Sequence, residues 1–121
     1  MGKVGPVAVC ALLVFACSTS GYNNATDALT DLVVCLEEPL PADEMDSSIC
    51  HTDEGVAGVN IADHQEDAEQ LIADLLDGGQ SGLLAWDLGR VVVMAPTESR
   101  AEAIADKLDG RVIRSLSDLR S

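Results

Sequence analysis

The sequence predicts an α+β domain whose core runs strand, helix, strand, strand, helix, strand, the order of a ferredoxin-like sandwich, with one extra helix in front. Three observations lead there. An internal repeat at a spacing of 32 residues aligns 55–78 with 87–110: Val59 matches Val91, Glu66 matches Glu98, Ile72-Ala73-Asp74 matches Ile104-Ala105-Asp106, and Leu76-Asp77-Gly78 matches Leu108-Asp109-Gly110. Each copy switches from a short apolar run to apolar residues at helical spacing. The first and third strand candidates are also the most apolar, as strands at the centre of a sheet should be.

The elements follow in order. A helix is expected over 26–38, with Asp27 in its first turn and an apolar stripe at Leu29, Leu32, Val33 and Leu36. Pro39 and Pro41 end it, and 39–54 reads as an acidic loop carrying Asp43, Glu44 and Asp46. The repeat unit spans 55–114. Its first strand is Val56 to Ala62; Asp63 and Glu66 have the spacing of a capping box, and Ala68, Leu71, Ile72 and Leu75 form the inner stripe of the next helix. Leu83 to Trp86 reads as an edge strand and Asp87-Leu88-Gly89 as a hairpin turn into the strand Arg90 to Met94. Pro96 to Ser99 turn into a helix with Ala101, Ile104, Ala105 and Leu108 inside. Gly78 and Gly110 read as helix stops, and Arg111 to Arg114 as the last strand.

Ahead of this single domain, 26–121, stand two segments of different character. Residues 1–16 have one cation, Lys3, then an uncharged apolar run from Val4 to Ala16. As a helix that run would reach only about 20 Å, short of a bilayer core of about 30 Å. It has the layout of an export signal. Leu13-Val14-Phe15-Ala16-Cys17 resembles the lipobox of bacterial lipoproteins, with Phe15 where that family carries a small residue. The resemblance implies lipidation of Cys17 and anchoring at the outer face of a bacterial membrane. Residues 17–25 then form a polar tether. Export also fits Cys35 and Cys50, which remain as a pair after processing and are expected to form a disulfide.

Charge narrows the function. The chain carries a formal charge of −14, and between Ser18 and Gly89 there is no Lys or Arg. The cations beyond the leader are Arg90, Arg100, Lys107, Arg111, Arg114 and Arg120. Nucleic acid is disfavoured as a partner because phosphate contacts need clustered cations. No phosphate-binding glycine motif occurs. Cys50-His51 is no nucleophile–base pair, since neighbours on a strand face opposite ways. No cofactor is implied.

Two binding readings remain. Residues 90–103, Arg-Val-Val-Val-Met-Ala-Pro-Thr-Glu-Ser-Arg-Ala-Glu-Ala, look like the second half of a SPOR domain, an envelope module of βαββαβ order that binds peptidoglycan glycan strands. The similarity covers about 55–114. It implies a glycan or envelope-polymer ligand, with Trp86 and Arg90 as contact residues. The alternative is an acidic secreted protein that binds a divalent metal through His51, Asp53 and His64, aided by Glu54 and Asp63. The expected function is therefore a non-enzymatic envelope lipoprotein that binds a protein or an envelope polymer.

Overall fold

The computed structural model describes residues 22, 24–41 and 46–120. The leader, Cys17, most of the tether, Asp43 and Glu44 lie outside the described residues. Ten elements follow in order: α1 (Ala25–Leu32), β1 (Leu40–Pro41), β2 (Asp46–Thr52), β3 (Gly55–Ile61), α2 (Gln65–Asp77), β4 (Leu84–Trp86), β5 (Val91–Met94), α3 (Glu98–Leu108), β6 (Arg111–Ile113) and α4 (Leu116–Arg120). The protein is α+β, and its strands form one antiparallel sheet in the order β1-β2-β3-β5-β4-β6.

Strand order and layering depart from the ferredoxin-like arrangement. There the last strand flanks the first strand of the βαββαβ unit. Here β2 pairs along all of β3, from Asp46↔Ile61 to Thr52↔Gly55, and occupies that flank. The last strand, β6, pairs instead with β4. Both strand–helix–strand units still skip one antiparallel neighbour, but β3 and β5 run in opposite directions. Two right-handed crossovers that step the same way from antiparallel strands place their helices on opposite faces. The two cores bear this out. Leu29 and Leu32 of α1 and Ile104 and Leu108 of α3 pack on Ala57, Val59 and Val93 on one face. Ala68 and Ile72 of α2, with Leu119 of α4, pack on Leu84, Trp86, Val92 and Ile113 on the other. The result is three layers, and β4 is buried on both sides.

Helix ends explain the remaining differences. Asn24 caps α1 by accepting from Asp27 N at 2.9 Å. That helix stops at Leu32, so Leu36 of the expected stripe is exposed. The chain leaves because Cys35 is bonded to Cys50 and Leu36 N donates to His51 O at 2.8 Å, which draws it along β2. The expected acidic loop contains β1 and β2. Asp46 and Ser48 face α1, accepting from Ala25 N and Thr26 Oγ1 respectively. The N-cap of α2 is His64, not Asp63, and no side chain caps it. Thr97 caps α3, accepting from Arg100 N. That helix ends on Asp109, which takes the left-handed conformation (φ 60°). Gly110 has another role: a Cβ there would stand 1.8 Å from Trp86 O, so glycine permits the close pass over β4. The short helix α4 lies beyond the repeat and was not expected.

Candidate functional site

A shallow cleft of about 230 Å³ opens where four separated segments meet. The end of α1 supplies Asp31, Leu32, Val33 and Val34; the β2–β3 turn supplies Asp53 and Glu54; Pro96 and Arg100 come from the start of α3 and Lys107 from its end. Apolar and charged side chains line it together. Arg100 Nε donates to Glu54 Oε1 at 2.6 Å, and this carboxylate, foremost as hydrogen-bond partner, raises the guanidinium pKa further. Lys107 Nζ donates to Asp31 O at 2.8 Å. On the other side of Asp31, Tyr22 donates its hydroxyl to Asp31 Oδ2 at 2.6 Å. Burial first, and then the Asp31 carboxylate, push the phenol up to about 12.

The hydroxyls lining the cleft are occupied by backbone. Thr52 Oγ1 donates to Gly55 O and accepts from Glu54 N, tying the hairpin turn. Thr30 Oγ1 donates back into its own helix, to Thr26 O. No imidazole lines the cleft. This arrangement suits recognition of a ligand carrying both charges more than bond cleavage, which needs a nucleophile held by a base.

The residues singled out in the sequence fall as follows. Cys35 and Cys50 form the disulfide, with Cα atoms 5.6 Å apart, beside Val34 of the cleft. Cys50 is buried whereas His51 is exposed on the opposite face of β2. The His51 Nδ1 pairs with Glu37 Oε2 at 2.5 Å, and His64 Nδ1 with Asp67 Oδ2 at 3.3 Å. His51 faces Val56 near the start of β3, while His64 follows its far end. At about 3.3 Å per strand residue, roughly 20 Å separate them. His51, Asp53 and His64 are therefore not brought together, and among the described residues no three metal-ligating side chains gather.

Trp86 is not on an edge. Its strand lies between β5 and β6, its ring is 3% exposed in the core under α2, and Nε1 donates to Gly89 O at 2.9 Å. It offers no platform to a sugar ring. Arg90 is exposed at the β4–β5 turn, where its Nε donates to Ala62 O at 2.7 Å and its own O accepts from Ala62 N. The sequence reading missed Glu54 with Arg100 and Lys107 as one group. Their separation along the chain leaves no local pattern to find.

Fold and site together define a class: a disulfide-tied, three-layer α+β domain with a charged surface cleft. Comparison with known protein families, with curated proteins and with solved structures finds no match to this chain.

Proposed function

We propose that this chain is an envelope lipoprotein that works by binding a partner protein, with no chemistry of its own. Its leader carries it across a bacterial inner membrane, and a lipid on Cys17 holds the domain at a membrane's outer face. The observation that carries the reading is the Cys35–Cys50 disulfide. Such a bond persists in an oxidising compartment, where a chain with a lipobox-like leader would arrive. The binding part is supported by a cleft whose hydroxyls serve the backbone and by histidines that stand apart. A protein partner is favoured over a glycan because Trp86, the ring a sugar would stack on, is inside. Among the described residues no helix is long and apolar enough to cross a membrane.

Fractionation of the host tests the anchor. Wild-type protein is expected in the membrane fraction and extractable by detergent, and Cys17→Ser protein is expected as unprocessed precursor or in the soluble fraction. Membrane-bound, normally processed Cys17→Ser protein would contradict it.

A further inference from the structure

The second face of the sheet is covered over only half its width. Leu40, Ile49, Gly58, Met94, Leu84 and Ile113 stand opposite one another in a single row across all six strands. The row is open at its β1–β2 end and fully covered at its β4–β6 end. Leu40 is 58% and Ile49 45% exposed, whereas Leu84 and Ile113, under α2 and α4, are at 0%. Val56, one step along β3 and on the same face, is 42% exposed. Ile49 leans over Gly58, where a Cβ would meet its Cγ2 at 3.1 Å, and next to Val56 the apolar strip ends at His51, which pairs with Glu37. The other face has no such gap, because α1 and α3 cover it.

The width and the charge of the strip say what would cover it. Three strands about 4.8 Å apart make a strip close to the 10–12 Å diameter of one helix, and helices pack on sheets at about 10 Å. The strip's own strands, β1, β2 and β3, and the helix α2 belong to the stretch between Ser18 and Gly89, which has no Lys or Arg; Arg90, before β5, donates to Ala62 O just beyond the end of β3. The neighbouring helix α2 carries Glu66, Asp67, Glu69, Asp74 and Asp77. A second copy would bring the same charge, and an anionic lipid surface would be repelled likewise.

We propose that the open face formed by Leu40, Ile49 and Val56 docks a basic amphipathic helix of a partner protein, laid beside α2 to complete the third layer. Its apolar side meets the strip and its Lys or Arg side chains meet the carboxylates of α2. The proposal rests on the binding-protein reading above and names the partner's chemistry; it does not depend on the lipid.

The test uses the processed protein as recovered from its host. The probe is a fluorescently labelled 18-residue peptide of Leu and Lys at helical spacing, and binding is read by anisotropy. A Leu/Glu peptide of the same pattern is the control. The Leu/Lys peptide is expected to bind, and Ile49→Asn combined with Val56→Thr to weaken it by about tenfold or more. Unchanged Trp86 fluorescence would show that the double variant is folded. Glu69→Gln with Asp67→Asn should also weaken binding, and more so at low salt. Absence of binding, equal binding of the Leu/Glu peptide, or binding indifferent to Ile49 and Val56 would each overturn the proposal. So would concentration-dependent dimerisation blocked by the double variant, which would make a second copy the occupant. None of these outcomes bears on the Cys17 fractionation result, so the two readings fail separately.

Discussion

At the scale of single residues, two titrating groups report on the fold. Tyr22 is the chain's one tyrosine, and its phenol is pushed up to about 12 by burial and by Asp31. The folded state therefore favours the protonated phenol. Whatever stability this supplies is fully present below the unfolded value near 10 and is lost as pH rises through about 12. Spectrophotometric titration should give a single phenolate step near pH 12 in the folded protein and near 10 in denaturant. A folded-state step near 10 would remove the Tyr22–Asp31 contact from the account. Asp87 is 6% exposed, and its Oδ1 accepts from Gly89 N at 2.8 Å and Val91 N at 3.0 Å. Burial raises its pKa, opposed chiefly by those backbone donors, so the ionised form is disfavoured on folding. Asp87→Asn keeps an acceptor without the buried charge. It should match or exceed wild-type stability in urea at neutral pH, and lose any advantage on acidification. Asp87→Ala strands two donors and should cost about 1–3 kcal/mol. A destabilised Asn variant beside a neutral Ala variant would reverse this reading.

At the scale of elements, the disulfide links the chain leaving α1 to β2 across a loop of 15 positions. Loop closure of that length is worth roughly 3 kcal/mol. Reduction, or Cys35→Ser with Cys50→Ser, should lower stability by about that amount, and α1 should be the first element to show faster amide exchange. Unchanged stability would mean that contacts such as Thr26–Ser48 and Asp46–Ala25 hold α1 unaided. The same region shows where local pattern stops being informative. The stripes of α2 and α3 could be read in the sequence because Ala68 and Ile72, and Ala101, Ile104, Ala105 and Leu108, all face a core at helical spacing. The strand β2 could not. Its inward Ser48 is small and polar, buried because Thr26 supplies a hydrogen bond from another element. Gly110 was visible as a glycine after a helix, but its reason is the Trp86 carbonyl of a strand 24 residues earlier.

At the scale of the molecule, the order of strands and helices within 55–114 was legible, and so was the repeat behind it, whereas β1, β2 and α4 were not. Layering was not. Local sequence cannot say whether the last strand pairs beside β3 or beside β4, and that single choice decides between two layers and three. Once β2 takes the flank of β3, α2 and α3 fall on opposite faces and the face beneath β1, β2 and β3 stays open. The cleft was equally hidden, because Asp31, Glu54, Arg100 and Lys107 converge only after the sheet is assembled. The proposed picture, a tethered domain that meets a basic partner outside the cytoplasm, draws on the open apolar face beside the acidic α2, on the disulfide and on the lipobox-like residues ending at Cys17.

The measurement that tests this picture most directly is the intact mass of the protein recovered from its host's membrane fraction. The expected mass is that of a chain beginning at Cys17, carrying a diacylglycerol group and lacking two protons for the Cys35–Cys50 bond. A full-length chain with Met1 and free thiols would contradict it.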